Sequence, residues 1–181
     1  QTVNGRGQAF RDAFNHVDSD VLVFYGPDGN EDPVDIERFI QEFKKNKNAG
    51  MVVARRLGAG SINKEDFKLF KPRKWVNIIF NKMANFFWNH RVYVHDTING
   101  FRAIKRTTWD ELKIDTDGYT VEYQSTIRCF KKNIEIIEFP THELQRIGGS
   151  VGSPVFHTGV VFIRLLLKEM ALSISEKFKN K

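Results

Sequence analysis

Cysteine is almost absent from this sequence: Cys129 is the only one in 181 residues. An internal disulfide is therefore impossible, and a cysteine-rich metal site is excluded. The five histidines show no spacing typical of metal ligands. No stretch approaches the roughly 18 uncharged apolar residues of a membrane-spanning helix. Internal repeats and low-complexity segments are missing as well.

What the sequence does contain is apolar material and positive charge. Hydrophobic residues make up 41% of the chain and include 16 phenylalanines, enough for a packed core. The formal net charge is +6, with an isoelectric point near 9.4. A basic balance favours acidic partners, which include nucleic acid, anionic lipid headgroups and phosphorylated substrates.

Basic and aromatic residues alternate between positions 73 and 91, a pattern also found in nucleic-acid-binding segments. Their apolar members recur at helical spacing, however, and we expect most of them on a core face: Trp75, Ile78, Ile79, Met83, Phe86 and Phe87. Nucleic acid is therefore not an expected partner. The sequence does not set the oligomeric state.

Short apolar runs alternate with helical patterns along the chain. The runs predict strands at 20–25, 51–54, 101–105 and 134–139. Helices are predicted from about Phe10 to Val17, from Pro33 to Phe43, at 74–89, at 109–112 (capped by Thr107 or Thr108), at 120–131 and at 156–178. Ile36, Phe39, Ile40 and Phe43 are expected inside. This alternation indicates an α/β layered domain with a mainly parallel sheet.

Residues 1–154 are predicted to form this domain, and residues 155–181 a C-terminal amphipathic helix. Phe156, Val160, Ile163, Leu167 and Met170 make an apolar stripe on that helix, beside a second stripe with Arg164 and Lys168. The pattern fits packing against the sheet and fits equally an in-plane position at a membrane surface.

Ligands bind at the carboxyl ends of strands in such sheets, so the loops there hold the candidate residues. Asp28 and Asn30 follow the first predicted strand and offer oxygen ligands to one hard cation. A plain β-turn explains Pro-Asp-Gly-Asn equally well. Arg56, Arg73, Arg102 and Arg146 have guanidinium groups suited to phosphate, although each is by itself also an ordinary surface arginine.

Three further candidates have two interpretations each. Asp96 and Arg102 flank a glycine turn, where they form a structural ion pair or line a polar pocket. Glu122 near a helix start is a favourable charge for the helix dipole or a general base. The segment 145–150, which contains Arg146 and Ser150, is a lid over a phosphate or a plain surface loop.

Seven segments in order resemble family 2 glycosyltransferases with a GT-A fold, closest to the dolichyl- or polyprenyl-phosphate sugar synthases. They are NGRGQAFRDAF, DVLVFYGPDGN, MVVARR, PRKWVN, DTINGFRAIKR, DGYTVEYQ and EFPTHELQRIGGS. The resemblance implies a three-layer α/β/α domain whose N-terminal βα units lie outside this chain. It implies metal-assisted, inverting transfer of a sugar from a nucleotide-diphosphate donor to a polyprenyl phosphate.

The resemblance also implies site residues and surroundings. Asp28 and Asn30 would hold Mg²⁺ or Mn²⁺, whereas Gly26 replaces the first acid of the Asp-X-Asp motif. Arg56, Arg73, Asn77 and Arg146 match phosphate ligands, with Asp96, Arg102 and Ser150 beside them, and Glu122 matches the acidic base of many inverting relatives. The expected location is cytoplasmic, peripheral at the cytoplasmic face of the membrane, in cell-envelope synthesis.

Two other functions fit parts of the sequence. A non-catalytic GT-A relative that binds a partner would explain Gly26 in place of the acid. A sugar nucleotidyltransferase shares the layered architecture, although the GFR and QRIGGS segments argue against it. Metal-dependent binding of a nucleoside diphosphate would separate the enzyme from the binding protein.

Overall fold

The computed structural model describes residues 5–63, 72–144 and 155–179. The chain forms two compact units, Gln1–Ser150 and Val151–Lys181. The described elements are α1 (Arg6–His16), β1 (Val21–Phe24), α2 (Asp35–Lys45), β2 (Ala49–Arg55), α3 (Pro72–Trp88), β3 (Arg102–Lys105), α4 (Arg106–Leu112), α5 (Val121–Lys131), β4 (Glu135–Pro140) and α6 (Val155–Lys179).

The first unit is built on a four-stranded sheet in the order β1-β3-β2-β4. Strand β3 pairs antiparallel with both β1 and β2, whereas β2 and β4 pair in parallel. Three strands therefore point in one direction and β3 runs against them between β1 and β2. The layered α/β fold predicted from the sequence is confirmed, but the sheet is mixed: of the three pairings among the described strands, only β2 with β4 is parallel.

Helices cover both faces of this sheet, and side-chain alternation along β2 decides which residues meet which layer. Met51 and Val53 pack with α1, α4 and α5 in a cluster that includes Phe10 and Trp109. Val52 and Ala54 face the other way, toward Phe39 of α2. The result is a three-layer α/β/α domain, as the resemblance implied.

Two predictions about helix α2 and helix α4 were wrong. Ile36 and Ile40 were expected inside, but they are 37% and 51% exposed, and Phe39 is the fully buried residue of α2. Helix α4 begins at Arg106 without a side-chain cap, and Thr108 is buried within it. In both cases packing against the sheet, rather than local sequence preference, set the outcome.

The core face of helix α3 also differs from the prediction. Four of the residues expected in the core are exposed: Trp75 (55%), Ile79 (56%), Phe86 (81%) and Phe87 (39%). The buried side instead consists of Phe80, Asn81, Ala84, Asn85 and Trp88. Both sides of this helix have apolar residues at helical spacing, so periodicity alone could not identify the buried one.

Helix α6 is the described part of the second unit and is 25 residues long. Two members of its predicted apolar stripe, Ile163 and Leu167, are 49% and 59% exposed. Among the described residues, no helix is both long and apolar enough to cross a bilayer.

Candidate active site

The candidate residues converge because of the strand directions. Strands β1, β2 and β4 end at the same edge of the sheet, and the antiparallel β3 begins there. The loops after β1, β2 and β4 and the loop before β3 therefore meet, as ligand-binding loops do in open α/β sheets. Hydrogen bonds and one longer ion pair connect these four loops to one another.

An ion pair between Arg56 and Asp96 joins the loop after β2 to the loop before β3. The guanidinium donates from Nε to Asp96 Oδ2 (2.8 Å) and from an η nitrogen to Oδ1 (3.1 Å), and the Arg56 backbone N–H adds a third bond at 3.0 Å. The Asp96 side chain is fully buried and that of Arg56 is 14% exposed. This two-point geometry fixes the orientation of the guanidinium.

Charges around the pair stabilise its ionised form. Burial by itself raises the pKa of Asp96, but the Arg56 guanidinium holds that pKa below its ordinary value. Burial by itself lowers the pKa of Arg56, but the carboxylates of Asp96 and Glu143 raise it above its ordinary value. The pair therefore stays charged at physiological pH.

The loop that contains Asp96 is held from two sides. Glu138 on β4 accepts the backbone N–H groups of His95 (2.8 Å) and Asp96 (2.9 Å), and burial raises the pKa of Glu138. On helix α3, Asn85 exchanges two hydrogen bonds with the backbone of Val94, at 2.8 and 2.9 Å. The position of Asp96 is thus set before any ligand binds.

Arg102 lies beneath this loop rather than in it. Its side chain is fully buried, and the guanidinium donates to the carbonyl oxygens of Asn99 (2.7 Å) and Glu122 (2.9 Å) and to the Ser125 hydroxyl (3.0 Å). Burial lowers its pKa to about 10. These contacts support the loop and the start of α5, and a role of Arg102 as a phosphate ligand stays a prediction.

The loop after β1 is tied to the loop after β4. Asn30 is buried and donates from its amide nitrogen to Glu143 Oε1 (3.0 Å), and its carbonyl accepts the N–H of Leu144 (3.0 Å). Glu143 Oε2 lies 3.7 Å from an Arg56 nitrogen. A continuous polar chain therefore runs from Asn30 through Glu143 to Arg56 and Asp96.

Glu31 folds back over Gly26 in the same loop. The Gly26 N–H donates to Glu31 Oε2 at 2.6 Å. A Cβ atom added to Gly26 would lie 3.3 Å and 3.6 Å from the two carboxylate oxygens of Glu31. The Glu31 carboxylate thus occupies the space into which a side chain at position 26 would extend. Burial raises the pKa of Glu31, while Arg6 and Arg56 oppose that shift.

Glu122 at the start of α5 is the most enclosed carboxylate among the sequence candidates after Asp96. It is 2% exposed and forms an ion pair through Oε1 with Arg6 of helix α1. Gly100 packs against both partners, since a Cβ there would lie 3.1 Å from Glu122 Oε1 and overlap the Arg6 guanidinium. The second oxygen, Oε2, is buried without a hydrogen-bond partner in the described part of the chain.

Arg73 and Asn77 lie on the first turns of α3. They share a helix face with Asn81, because the three positions are spaced by four residues. Asn81 Oδ1 accepts the N–H of Thr97 at 2.9 Å, so this face is directed toward the loop that contains Asp96. Arg146 and Ser150 lie outside the described residues, and their roles stay predictions.

The structure therefore links Asn30, Arg56 and Asp96 in one polar network and places Glu122 on the same side of the sheet. Four charged residues of this region were not predicted from the sequence. They are the cation Arg6 and the carboxylates Glu31, Glu138 and Glu143. Glu31 and Glu143 follow strand ends, and that position is the signal that could have identified them. Arg6 and Glu138 gave no local signal.

Comparisons with known proteins agree on the fold. No family model matches the sequence. Glycosyltransferase AglJ from Haloferax volcanii is 23% identical over 172 residues, which cover 91% of this chain and 53% of that protein. The chain thus spans about half the length of this curated relative.

Among solved structures, glucosyl-3-phosphoglycerate synthase from Mycobacterium tuberculosis matches in several ligand states. Its complex with phosphoglyceric acid superposes with a TM-score of 0.64 at 16% identity, covering 92% of this chain and 55% of that one. Its complex with Mn²⁺, uridine diphosphate and phosphoglyceric acid gives 0.65 at 14% identity, covering 94% and 55%. The three-layer domain described above therefore has the GT-A fold of that enzyme.

Proposed function

We propose that this chain forms the larger part of the catalytic domain of a glycosyltransferase, which moves a sugar from a nucleotide-diphosphate donor to a phosphorylated acceptor with inversion. The observation that supports this most directly is the polar network from Asn30 to Asp96 at the carboxyl edge of the sheet. The matched synthase is described with Mn²⁺, uridine diphosphate and a phosphorylated acid, in the same fold.

A divalent cation, Mg²⁺ or Mn²⁺, would be held by the loop after β1. Asp28 and Glu31 supply carboxylate oxygens, and the Asn30 amide is oriented by its bond to Glu143, so the chemistry of the loop fits a hard cation. Among the described residues, no three or more His, Cys, Asp or Glu side chains are grouped so that they could hold a metal ion by themselves. Donor phosphate oxygens would complete such a site, and the bound cation would offset charge on the leaving diphosphate.

Glu31 fits the role of the carboxylate that position 26 lacks. Its carboxyl group lies within 3.6 Å of where a Cβ of residue 26 would be, and the Gly26 N–H orients it at 2.6 Å. A carboxylate from five residues further along the chain thus reaches the same space. This contact supports a two-carboxylate loop formed by Asp28 and Glu31.

Arginines would orient the phosphates. Arg56 is held by Asp96, its remaining nitrogen lies 3.7 Å from Glu143 Oε2, and its charge opposes the rise that burial causes in the pKa of Glu31, so it would balance carboxylates next to the diphosphate. Arg73 and Asn77 on α3 are proposed ligands of the acceptor phosphate, and Arg146 and Ser150 are proposed to close over it. Fixed guanidinium groups lower the entropic cost of aligning donor and acceptor.

Glu122 would contact the transferred sugar. Its Oε2 atom is a buried acceptor without a partner among the described residues, and an ionised carboxylate left in that state is costly. A sugar hydroxyl that donates to Oε2 would remove the cost. A phosphate acceptor is already ionised and does not require a base, so we assign Glu122 to sugar positioning for such acceptors and to proton removal for hydroxyl acceptors.

A non-catalytic binding protein is the second candidate, because Gly26 offers no carboxylate and the Arg56–Asp96 pair is satisfied without a ligand. Titration of the full chain with uridine diphosphate, with and without Mn²⁺, followed by transfer from labelled nucleotide sugars to a lipid extract, separates the two. We expect metal-dependent binding and transfer. Binding without transfer from any donor would favour the binding protein.

Substitutions then test the loop. We expect Asp28→Asn to lower turnover by about 100-fold or more, as loss of one electrostatic contact to a transition state does, and Glu31→Gln to weaken Mn²⁺ binding by about tenfold or more. Asp18→Asn, an exposed acid before β1, is the matched control. Wild-type metal affinity and turnover in both loop variants would refute the assignment.

A further inference from the structure

Glu143 follows the end of β4, and its backbone is fixed by hydrogen bonds that extend the sheet. The Thr141 N–H donates to the carbonyl of Arg55 at the end of β2 (3.0 Å), and the Glu143 N–H donates to the carbonyl of Ile62 (2.8 Å). The Glu143 side chain is 8% exposed. The backbone that bears this carboxylate is therefore held in place before any ligand binds.

Two hydrogen bonds connect this segment to Asn30, in the loop after β1. The Leu144 N–H donates to the Asn30 carbonyl at 3.0 Å, and Asn30 Nδ2 donates to Glu143 Oε1 at 3.0 Å. The first bond fixes the backbone at Asn30, and the second fixes the rotation of its side-chain amide. Because a carboxylate has only acceptor atoms, the amide nitrogen and not the amide oxygen must face Glu143.

The orientation of this amide decides which atom it offers to a cation. With Nδ2 directed at Glu143, the oxygen Oδ1 of Asn30 is directed away from it, and no described residue donates a hydrogen bond to that oxygen. Mg²⁺ and Mn²⁺ take oxygen ligands rather than amide nitrogen. If the amide were flipped, its NH₂ group would face the cation and its oxygen would face the carboxylate. The contact with Glu143 thus selects the one orientation that supplies a ligand.

The same carboxylate also faces Arg56. Glu143 Oε2 lies 3.7 Å from an η nitrogen of Arg56, and Arg56 is held in turn by Asp96. Asn30 follows β1 and Arg56 follows β2, so one carboxylate, placed after β4, contacts loops from two other strands. Glu143 therefore sets the spacing between the loop proposed to hold the cation and the guanidinium beside it.

We propose that Glu143 is a positioning residue of the donor site, which orients the Asn30 amide so that Oδ1 faces the bound cation. The inference rests on the proposed function, because that function supplies the cation. A preset oxygen ligand has more weight in this loop because Gly26 offers no side-chain ligand. Residues that orient a metal ligand in this way contribute about 10–100-fold to metal affinity.

A double-mutant cycle measures whether Glu143 acts through Asn30. The affinity of the full chain for Mn²⁺ is measured by electron paramagnetic resonance with uridine diphosphate present. Glu143→Leu should weaken Mn²⁺ binding by about tenfold or more. In an Asn30→Ala background most of that loss should disappear, because the amide that Glu143 orients is gone. An equal loss in both backgrounds would overturn the inference.

Glu42 provides the matched control. Its Oε2 atom accepts a hydrogen bond from Asn46 Nδ2 at 3.1 Å, so the same two groups pair at the end of α2. Glu42→Leu should leave Mn²⁺ affinity unchanged, and an equal loss in Glu42→Leu and Glu143→Leu would overturn the inference. Circular dichroism reports folding of each variant. If Glu143→Leu does not fold, Glu143→Gln replaces it in the cycle, because glutamine presents either a donor or an acceptor and no longer fixes the amide.

The side-chain amide of Asn30 reports the contact without metal or nucleotide. In ¹⁵N-labelled wild-type protein, the hydrogen bond to Glu143 should slow solvent exchange of the Asn30 NH₂ protons, and Glu143→Leu should remove that protection. Unchanged exchange in Glu143→Leu would overturn the inference. A wild-type chain that protects these protons but binds no Mn²⁺ with uridine diphosphate would instead refute the proposed function, so the two failures are distinguishable.

Discussion

Loss of the Asp96 carboxylate offers a strict test of how the site is organised. Asp96 Oδ2 accepts two bonds from Arg56, and Oδ1 accepts one from Arg56 and one from the Asn99 backbone N–H. Asp96→Asn replaces one of these oxygens by an NH₂ group that cannot accept. It also leaves the buried Arg56 guanidinium without its main counter-charge.

The expected cost follows from that geometry. Removing one partner of a buried ion pair destabilises a protein by about 3–5 kcal/mol. For a chain of this size, about 3 kcal/mol corresponds to a fall of about 6–12 °C in melting temperature. Thermal and urea unfolding of Asp96→Asn against wild type measure it. The control is Asp117→Asn, since Asp117 pairs with Arg11 but its side chain is 66% exposed, and the expected loss is below about 1 kcal/mol.

The stabilisation that Asp96 provides should also depend on pH, in a direction that its pKa determines. The pKa of Asp96 is lower in the folded chain than its ordinary value, which is about 3.9 when unfolded. Its contribution is therefore fully present above about pH 4 and is lost as the pH falls through the lower, folded pKa. The stability gap between wild type and Asp96→Asn should stay constant from neutral pH to about pH 5 and narrow below pH 4. A gap under about 1 kcal/mol at neutral pH would refute the reasoning.

Three further outcomes are expected. Gly50→Ala should cost about 1–3 kcal/mol in urea unfolding, because its Cβ would overlap the Ile134 side chain; full stability would contradict this close approach. The buried thiol of Cys129, whose pKa burial raises to about 12, should resist a thiol reagent at pH 8 and react once the chain is unfolded in urea. Asn85→Ala should speed amide hydrogen exchange at Val94, whose N–H it accepts; unchanged exchange would show that the loop is held elsewhere.

The local sequence was sufficient for the positions of the elements and for the edge at which the site lies. Short apolar runs between turn residues predicted all four strands within a few residues of their observed bounds. Alternation with helices predicted the layered class, because a strand flanked by two helices must be covered on both faces. The position of Asp28, Arg56 and Asp96 in loops at strand ends predicted them as site residues from the sequence alone.

The buried face of helix α3 could not be predicted from its local sequence. Its sequence has apolar residues on two sides, and only contact with the loop at 94–97, through Asn81 and Asn85, selects the buried one. Arg102 is similar: nothing in its glycine-turn sequence indicates that its side chain is fully buried against the start of α5. Neither outcome has a signature within a short window of sequence.

What the sequence determined by itself was composition, periodicity and the order of strand-end loops, since these depend on neighbours along the chain. What the tertiary structure decided was which charges meet: Arg56 with Asp96 forty residues away, Asn30 with Glu143, Arg6 with Glu122. The reversed direction of β3 brings Asp96, in the loop before that strand, to Arg56 after β2, whereas Asn30 meets Glu143 because β1 and β4 end at the same edge. Strand direction and pairing are properties of the whole sheet, so residues distant in sequence became neighbours only on folding.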